Sequence, residues 1–600
     1  MEVIRRKGPK RPIYEIEPND YEMKPVNGRV AILDTETDPF AEGRIVKPFT
    51  LGFYIPDSDE YFDFWGLDCV DQYFAFMAAN FPEEDFTVFV HNGGGFDFFF
   101  MTNYFDEDMK PFIINGRLVR IICRGIEFRD SYAMIPVALS KMGSENGKME
   151  FDYTKLELDV REQHKDEILA YQKQDCVALG IRVVRWLEMF GNRLTMASAA
   201  LATLNSYHGF ENMAPHIDED MRPYYFGGRC QAFEMGTITG QFVGYDINSS
   251  YPHVMGAIKH PISATPIHEK RITERTHFAR IRAYSNGALP IRKENGGLEF
   301  PIGTRDFFAC IHEIRAGLET GNLRIIHVYE TIYFSHETCF DEFVNTFYGL
   351  RLEASDAGDE INKLFYKLVP NSSYGKLAQD PRKYENWLFD PSEIPSPVMC
   401  YPCKERIDKG EIEKGDCENC ITKLSSPYGW YVHTIHQNRF IYARPQQIRA
   451  TGFFNVATAA SITSAARASL LYGINAATRP IYCDTDSLIC EALEAGDHIV
   501  IDNKTLGAWK KEFDADTLHI AGKKLYSVYD GDVEVKKASK GVKLTGLEIA
   551  SICAGETIEY ANPVPKFSLF KDGDAANTVM VNDVVSATFV TRRISRTGEL

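Results

Sequence analysis

The segment that most restricts how this chain can fold is IYCDTDSLI, residues 481–489, in which two aspartates interrupt a run of strand-forming residues. Side chains of a strand alternate between its two faces, so Asp484 and Asp486 share one face unless a hairpin turn lies between them. Two carboxylates that close repel each other unless a cation lies between them or one is protonated. Because Asp and Thr are common turn residues, one interpretation is an ordinary β-turn. The other is a divalent-metal site at a hairpin tip, which requires further carboxylates elsewhere in the chain.

The charge balance of the chain limits how it can contact nucleic acid. The formal net charge of the 600 residues is −18, which argues against a protein that coats nucleic acid by bulk electrostatics. It does not exclude an enzyme with a local basic channel. The segments KKASKGVK (536–543) and TRRISR (591–596) are either such basic patches or ordinary solvated surface.

The sequence carries no signal for secretion or for a membrane span. No run approaches the ~18 apolar residues that a span requires, and the N-terminus, MEVIRRKGPKRPIYEIEPND, has no apolar signal core. The 13 cysteines are mostly scattered, which favours free thiols in a reducing compartment. We therefore expect a cytoplasmic globular protein without a membrane partner.

A third carboxylate follows another apolar strand, in FVGYDINSSYPHVM, residues 242–255. This residue is Asp246, and the chain turns shortly after it because Pro252 ends regular strand pairing. Together with Asp484 and Asp486 it supplies three carboxylates from two strands. Such a set suits two Mg2+ ions that bridge the phosphates of a nucleotide, because Mg2+ prefers hard oxygen ligands and keeps several waters.

A triphosphate also requires a cation, and the segment YKLVPNSSYGKLAQ, residues 366–379, supplies one at helical spacing. Lys367, Asn371 and Tyr374 lie at positions i, i+4 and i+7, on one face of a helix. A lysine binds phosphate as a point charge, and a tyrosine offers a flat ring against a base. Alone, such a face is usually solvent-exposed surface, but beside three aspartates it indicates a nucleotide site. Pro370 lies inside this helix and removes a backbone hydrogen bond, so we expect a kink there.

These segments resemble the motifs of a known family. DINSSYP, KLVPNSSYG and YCDTDS resemble motifs A, B and C of family B DNA polymerases. YFGG (225–228) resembles the segment that links the exonuclease and polymerase halves of these enzymes. TSAAR (463–467) resembles the helix motif that holds template and primer, and KLY (524–526) resembles the motif that holds the primer end. The resemblance implies a right-hand polymerase that adds dNTPs to a primer on a DNA template.

The resemblance also implies a role for each motif residue. Asp246 and Asp486 are expected to be the main ligands of two Mg2+ ions, with Asp484 as a further ligand or a neighbour of the ligands. Lys367 would neutralise the triphosphate, and the ring of Tyr251 would exclude a 2′-hydroxyl. The other residues expected to bind the nucleotide are Asn371 and Tyr374. The residues expected to contact DNA in this half are Tyr225, Gly227, Gly228, Ser249, Thr463, Arg467, Lys524 and Tyr526.

The N-terminal half carries a second set of acids. DTET (34–37), HNGGGFD (91–97) and YQKQD (171–175) resemble the three motifs of a DEDDy-type 3′–5′ exonuclease, although DTETD alone is more often an acidic turn. The resemblance implies that four carboxylates bind two metal ions, that Tyr171 orients the attacking water and that Lys148 lies near the scissile phosphate. The four carboxylates are Asp34, Glu36, Asp97 and Asp175. The residues expected to contact DNA in this half are Thr37, Asn92 and Phe96.

Three features favour the protein-primed branch of this family, which phages and linear plasmids use. The first exonuclease motif begins at residue 34, and the whole chain has only 600 residues. About 115 residues separate motif A from motif B, and about 110 separate motif B from motif C, which is room for the two insertions typical of that branch. A terminal protein is then the expected partner, with its hydroxyl replacing the primer 3′-OH. The alternatives are a nucleic-acid-primed polymerase and a binding protein with inactive sites, and the presence of all seven acids argues against the second.

The expected fold class is a multidomain protein of the α/β and α+β types. It comprises a ribonuclease-H-like exonuclease domain and a right-hand polymerase, with palm, fingers and thumb, that carries two insertions. The expected division is 1–190 for the exonuclease domain, 191–260 for the first part of the palm, 261–345 for the first insertion and terminal-protein region, 346–380 for the fingers, 381–440 for the second insertion, 441–530 for the second part of the palm and 531–600 for the thumb.

The second insertion contains the one cysteine cluster of the sequence. CYPCKERIDKGEIEKGDCENC, residues 400–420, places two C-x-x-C pairs thirteen residues apart. Paired C-x-x-C turns supply the tetrahedral thiolate ligands that zinc prefers, and the polar residues between them cannot form a core of their own. The pattern predicts a structural Zn2+ site, with disulfides or four free thiols as the alternatives. The four ligands would be Cys400, Cys403, Cys417 and Cys420.

Overall fold

A computed structural model of the chain describes most of its residues. These are residue 18 and the ranges 21–39, 46–114, 116–139, 151–294, 296–380, 384–389, 398–399, 430–436, 439–445, 454–540, 544–565 and 580–587. The chain builds two seven-stranded sheets, and each of them carries one of the two predicted groups of acids.

The first sheet lies in the N-terminal part and has the strand order β3-β2-β1-β4-β7-β6-β5. Strand β1 runs antiparallel to β2 but parallel to β4, and β4 runs parallel to β7, so the sheet is mixed. Every residue of β2 and β4 is buried, as expected for strands covered on both faces. The strands are β1 Arg29–Thr37, β2 Pro48–Ile55, β3 Glu60–Trp65, β4 Phe86–Val90, β5 Phe112–Ile114, β6 Arg117–Cys123 and β7 Ile126–Asp130.

Helices cover this sheet and lead out of it. Helix α1, Cys69–Asn80, packs against β2 and β3, and helix α2, Lys165–Phe190, packs against β1 and β2. Helix α2 buries a stripe that includes Ile168, Leu179 and Trp186 at helical spacing, and this stripe fixes which side chains of the helix face the sheet. Two further helices follow, α3 Met196–Tyr207 and α4 Pro215–Met221.

The second sheet is antiparallel and has the strand order β26-β25-β24-β9-β23-β22-β8. It joins chain segments that lie more than 200 residues apart, because β9 pairs with both β23 and β24. Its strands are β8 Cys230–Ala232, β9 Gly236–Ile247, β22 Ala477–Asp484, β23 Ser487–Leu493, β24 Trp509–Gly522, β25 Leu525–Asp530 and β26 Val533–Ser539. The neighbouring helices are α5 Ser250–Ala257, α9 Val456–Ala476 and α10 Gly546–Cys553.

A smaller four-stranded sheet, with the order β11-β16-β12-β15, lies between α5 and the next helical part of the chain. Helix α6, Ile311–Glu319, packs on this sheet and against α9. The strands of this region are β10 His260–Pro261, β11 Ile267–Glu269, β12 Phe278–Asn286, β13 Ile291–Arg292, β14 Leu298–Glu299, β15 Ile302–Cys310, β16 Leu323–Tyr333 and β17 Glu337–Thr338.

Two antiparallel neighbours, α7 Asp341–Asp356 and α8 Glu360–Leu377, follow this sheet. Helix α8 continues without interruption through Pro370, which is buried, so the expected kink stays a prediction. The remaining strands are β18 Glu385–Phe389, β19 Val398–Met399, β20 Trp430–His436, β21 Arg439–Pro445, β27 Ile558–Pro565 and β28 Met580–Ala587.

Two predictions from the sequence concern the whole chain: that it has no membrane span and that its scattered cysteines are free thiols. Among the described residues, no helix combines the length and the apolar character that a membrane crossing needs. The nine described cysteines are free thiols, which confirms that prediction for the scattered cysteines. Cys400, Cys403, Cys417 and Cys420 lie outside the described residues, and so does Lys148.

Candidate active sites

The two aspartates of the CDTDS segment lie at the tip of a hairpin. Strand β22 ends at Asp484 and β23 begins at Ser487, so Thr485 and Asp486 form the turn. Thr485 has a positive φ of 63°, and its backbone N–H donates to the carbonyl of Arg229 at 2.6 Å. A hairpin turn, the alternative that the sequence left open, therefore begins directly after Asp484 and contains Asp486, so the two aspartates do not share one strand face.

Strand pairing brings the third aspartate beside this turn. Asp246 stands opposite Ser487 in the β9–β23 ladder, and the backbone N–H of Ile247 donates to the carbonyl of Asp486 at 2.8 Å. The structure thus brings Asp246, Asp484 and Asp486 to one end of the second sheet, as predicted from two separate sequence segments.

The three carboxylates differ in their electrostatic surroundings. Burial, with a smaller contribution from Glu512, raises the pKa of Asp246 to about 6. Burial and then the charges of Asp246 and Asp484 raise the pKa of Asp486 to about 7. Lys524 Nζ instead donates to both carboxylate oxygens of Asp484, at 2.9 and 2.7 Å. Half-buried carboxylates with hard oxygen donors and raised pKa values fit Mg2+ ligands, because a bound cation would offset their mutual repulsion.

The predicted nucleotide-binding residues lie beside this end of the sheet. The rings of Tyr251, on α5, and Tyr374, on α8, stack with centroids 4.3 Å apart and planes at 16°. Lys367 is close enough to Asp246 to lower its pKa slightly. Asn371 is exposed and donates its side-chain N–H to the carbonyl of Lys367 at 2.7 Å. Lys367, Tyr251 and Tyr374 therefore lie near the carboxylates.

Two of the predicted DNA-contact residues are buried in the protein. The guanidinium of Arg467 donates to both carboxylate oxygens of Glu313, at 2.7 and 2.8 Å, and both side chains are buried. It also donates to the carbonyls of Phe226 and Gly227, at 2.6 and 2.8 Å. Thr463, one turn earlier on α9, donates to a helix carbonyl and is also buried. Arg467 therefore joins α9 to α6 and to the YFGG segment, whereas Thr463 bonds within its own helix. The contact of both side chains with DNA stays a prediction.

Two further predicted contact residues, Gly228 and Tyr526, lie against the same hairpin, and two others, Ser249 and Tyr225, have neighbours elsewhere. Gly228 lies so near Thr485 that a Cβ there would come within 2.8 Å of its hydroxyl. The Tyr526 ring packs against Tyr482, 4.7 Å away. Ser249 has a positive φ of 49° at the start of α5. Tyr225 is half-buried, and its carbonyl accepts from Arg292 at 2.7 Å.

The second group of acids converges on the first sheet. Asp34 and Glu36 share one face of β1, and Asp175 reaches them from α2, so that one carboxylate oxygen of each lies within 4.8 Å of the others. Three carboxylates at this separation can share a divalent cation, and their oxygen donors suit Mg2+. Asp97 is not part of this trio.

Asp97, the fourth predicted acid, lies deeper in the domain. Its carboxylate accepts from the Thr35 hydroxyl at 2.5 Å, and burial raises its pKa well above the usual range. The sequence did not single out Thr35, although it lies between Asp34 and Glu36 and therefore points to the opposite face of β1. Three of the four predicted acids therefore lie close together, and the carboxylate of Asp97 instead accepts a buried hydrogen bond from Thr35.

Tyr171 lies one helical turn before Asp175 and is held by two aromatic neighbours. Its ring stacks on Phe151 at 4.4 Å, and its hydroxyl lies 3.3 Å from that of Tyr153. Burial raises its pKa, with further contributions from Glu36 and Asp175, so the hydroxyl stays protonated at neutral pH. Neither neighbour carried a signal in the sequence, because both stand outside the three motifs.

The predicted DNA contacts of this half lie on the loop after β4. Asn92 has a positive φ of 66°, and its side-chain oxygen accepts from Arg117 at 2.6 Å. Arg117 also forms an ion pair with the buried Asp130. Phe96 packs edge to face on Phe100, 5.1 Å away. Arg117 was missed because it comes from β6, and nothing in its own segment indicates the contact.

Thr37, the last predicted contact, ends strand β1. Its hydroxyl donates to the carbonyl of Asp38 at 3.3 Å, and the side chain is buried.

Comparison with known proteins identifies the family. Residues 144–427 match the family model described as DNA polymerase type B, organellar and viral. The chain is 41% identical over 526 residues to the DNA-directed DNA polymerase of Enterobacteria phage PRD1, which covers 88% of both chains. It is 28% identical over 364 residues to a probable DNA polymerase of Agaricus bitorquis, covering 55% of this chain and 43% of that one. The chain therefore belongs to the type B DNA polymerases of organelles and viruses.

Solved structures give the same fold. Phi29 DNA polymerase in its orthorhombic crystal form matches with a TM-score of 0.68 at 18% identity, covering 94% of this chain and all of that one. Its ternary complex with primer-template DNA and incoming nucleotide substrates matches with a TM-score of 0.66 at 18% identity and the same coverage. The predicted fold class, an exonuclease domain with a right-hand polymerase, is confirmed, and the protein is a DNA-directed DNA polymerase.

Proposed function

We propose that this polymerase carries out two reactions at two separate carboxylate sites. Template-directed extension takes place at the Asp246, Asp484 and Asp486 site on the second sheet. Removal of mispaired 3′ ends takes place at the Asp34, Glu36 and Asp175 site on the first sheet, with Asp97 beside it. The observation that supports this proposal is the separation itself, since the two groups of acids lie on different sheets with no strand in common.

At the extension site, each residue has a role that its position supports. Asp246 and Asp486 would hold two Mg2+ ions, which when bound activate the attacking hydroxyl and offset charge on the leaving oxygen. Lys367 attracts the triphosphate, and Tyr374 stacks on the incoming base. Tyr251 packs under the sugar, where its ring leaves no room for a 2′-hydroxyl.

Lys524, which contacts Asp484, has a proposed role in binding the primer. Lys524 and Tyr526 lie on the same side of the hairpin tip and would hold the primer end, with Asn371 contacting the nucleotide. Tyr225, Gly227, Gly228 and Ser249 form the path that leads the strands to this site. Thr463 and Arg467 support this path from α9.

At the exonuclease site, Asp34, Glu36 and Asp175 would hold the metal ions, and Tyr171 would orient the attacking water with its protonated hydroxyl. Tyr171→Phe tests this role, because it removes the hydroxyl but keeps the ring that stacks on Phe151. We expect a 10- to 100-fold slower degradation of single-stranded DNA, roughly the effect of losing a positioned proton-transfer or orienting group, with extension unchanged. Unchanged degradation would remove Tyr171 from the mechanism.

Other predicted residues would complete this site. Lys148 would contact the scissile phosphate, and Thr37, Asn92 and Phe96 would contact the DNA strand.

We further propose that synthesis starts on a hydroxyl of a separate terminal protein that docks on the first insertion, 261–345. The four-stranded sheet of this region supports the proposal, since it is separate from the sheet that carries the carboxylates and packs against α9. Incubating the enzyme with a candidate terminal protein and labelled dNTP, without any oligonucleotide, should give a covalent protein–nucleotide adduct. Efficient extension of an RNA primer together with failure of every candidate partner would favour a nucleic-acid-primed enzyme instead.

The domain division expected from the sequence remains part of this proposal. It places the exonuclease domain at 1–190, the palm at 191–260 and 441–530, the insertions at 261–345 and 381–440, the fingers at 346–380 and the thumb at 531–600.

For the second insertion we propose a structural Zn2+ site, on the spacing of its four cysteines alone. Metal analysis of chelator-washed protein should give about one zinc per chain, the stoichiometry of a four-thiolate structural site. Cys400→Ser and Cys417→Ser should each remove it. Zinc well below that level, with unchanged activity in both variants, would contradict the site.

A further inference from the structure

The turn that follows Asp246 is fastened to a distant loop by several hydrogen bonds. The backbone N–H of Asn248 donates to the carbonyl of Ala508 at 2.9 Å, and the N–H of Gly507 donates to the carbonyl of Asn248 at 2.8 Å. The side-chain N–H groups of Asn248 donate to the carbonyls of Asp502 and Thr505, at 3.0 and 3.2 Å. The segment 502–508, which we call the brace loop, thus binds one residue of motif A through four hydrogen bonds.

The brace loop has its own fixed shape. The Asp502 carboxylate accepts from the backbone N–H groups of Lys504 and Thr505, at 2.8 and 2.6 Å. These bonds hold the loop carbonyls in the direction of Asn248, although the loop residues from Asp502 to Thr505 are exposed to solvent. The backbone N–H groups of an exposed loop can bond to water, so they do not need the Asp502 carboxylate as a partner. These bonds therefore indicate that the loop positions the residues that it contacts.

The loop also contacts motif A on the other side of Tyr251. Gly507 has a positive φ of 80°, and a Cβ added there would lie 2.2 Å from the His253 ring. The loop therefore touches Asn248, three residues before Tyr251, and His253, two residues after it.

Helix α7 completes the support. The Tyr348 hydroxyl donates to the carbonyl of Lys504 in the brace loop. One turn further along α7, Arg351 donates to the Ser249 hydroxyl at 3.3 Å. Ser249 in turn starts α5, since its carbonyl accepts from the backbone N–H of His253 at 2.9 Å.

We infer that the brace loop is a positioning element for Tyr251, and that it sets the affinity for the incoming dNTP and the rejection of ribonucleotides. This inference rests on the proposed role of Tyr251 as the barrier to a 2′-hydroxyl. Steric rejection depends on a distance, so a shift of the α5 start by a fraction of an ångström admits the larger sugar. Asn248 and Asp502 hold Tyr251 in place without touching the nucleotide.

The test compares two variants that loosen the brace from opposite sides. Asn248→Ala removes the amide that bonds the loop, and Asp502→Ala frees the loop backbone but leaves Asn248 intact. Each should raise KM for dNTP about tenfold and lower the dNTP/rNTP preference in kcat/KM about tenfold, while kcat changes less. The double variant should be no worse than the worse single one, because both remove the same support.

The matched control is Asp516→Ala in the same sheet. Asp516 also accepts a backbone N–H, that of Gly531 at 2.9 Å, and Gly531 lies in the turn between β25 and β26, outside the brace loop. The control should keep the wild-type KM and sugar preference. All variants should degrade single-stranded DNA at the wild-type rate, which shows that the chain is folded.

Three outcomes separate the possible failures. Wild-type KM and sugar preference in Asp502→Ala and Asn248→Ala, while Tyr251→Ala loses the preference, would overturn the brace role and keep that of Tyr251. An unchanged preference in Tyr251→Ala would overturn the proposed function of Tyr251 and this inference with it. Equal losses in Asp516→Ala would show a general loosening of the sheet, which also overturns the inference.

Discussion

Asp484 and Asp486 stand two residues apart but have different electrostatic partners. Lys524 neutralises Asp484 through two short hydrogen bonds, whereas burial and neighbouring acids raise the pKa of Asp486 to about 7. A bound cation stabilises the ionised form of a carboxylate with a raised pKa more than that of a carboxylate already paired with a lysine. We therefore expect Asp486 to be a stronger metal ligand than Asp484.

This ranking gives a prediction for two isosteric variants. Asp484→Asn should lower kcat/KM for extension by about 10- to 100-fold, the usual effect of changing a residue next to a metal ligand. Asp486→Asn should lower it by at least a further tenfold, because a ligand itself is lost. Primer-extension kinetics with Mg2+ measure both, with single-strand degradation as the folding control. Equal losses would show that the two aspartates contribute equally, and a larger loss in Asp484→Asn would reverse the ranking.

Residues whose role depends on their own short segment could be predicted from the sequence. The three acids of each site could be identified because each sits in a short segment with its own strand or helix pattern. Thr35, Arg117 and Glu313 could not, because each acts through a contact that only the folded chain creates. Glu313, for example, lies 154 residues from its partner Arg467.

At the scale of elements, one buried ion pair connects α6, α9 and the YFGG segment. Removing one partner of a buried pair leaves the other charged and unsolvated, which costs about 3–5 kcal/mol. Glu313→Ala should therefore lower the stability of the palm by about that amount and speed dissociation of primer–template DNA. Urea unfolding and a filter-binding off-rate measure the two effects.

Glu274→Ala is the matched control for this change. Glu274 is exposed and lies in the same insertion. If both variants behave alike, the ion pair does not organise the DNA path.

Helix α9 also binds one buried histidine, His260, and one half-buried histidine, His312, through a single hydroxyl. Ser461 Oγ lies 2.9 Å from His260 Nδ1 and 3.0 Å from His312 Nε2. His260 Nε2 lies 2.8 Å from the carbonyl of Val254, which can only accept, so His260 is protonated at Nε2. Its Nδ1 then accepts from the Ser461 hydroxyl, whose oxygen accepts from His312.

Both imidazoles are neutral for the same physical reason. Burial lowers the pKa of His260 to about 4 and that of His312 to about 3, from 6.5. The bond to the Val254 carbonyl raises the pKa of His260 but does not offset burial, and the nearby His277 lowers the pKa of both histidines.

This arrangement predicts how stability depends on pH. Below pH 6.5 the unfolded chain takes up protons at these histidines and the folded chain does not. Their contribution to the free energy of unfolding is therefore fully present above pH 6.5 and is lost as the pH falls towards 4. His312→Gln should reduce the slope of the unfolding free energy by about 1.4 kcal/mol per pH unit between pH 6 and 5. Urea unfolding at several pH values measures the slope. The exposed His216→Gln should leave it unchanged, and an unchanged slope in His312→Gln would show that this histidine is already protonated in the fold.

The elements themselves were easier to predict than their pairing. Alternating and apolar runs indicated the strands around Asp34, Asp246 and Asp484, and helical spacing indicated α2 and α8. That β9 lies between β23 and β24, and that the brace loop reaches motif A, depends on pairing across more than 200 residues. No local pattern carries that information.

At the scale of the whole molecule, two sheets carry two groups of acids, and our central claim is that they carry two separate reactions. The most direct test is one assay on a 5′-labelled primer–template with Mg2+, in which shortening and lengthening of the primer are followed together. Asp34→Ala combined with Glu36→Ala should abolish shortening without dNTP and leave the extension rate within about threefold of wild type, since sites without shared ligands act independently. Asp486→Asn should do the reverse. If either folded variant lost both activities by similar large factors, the two-site account would be wrong.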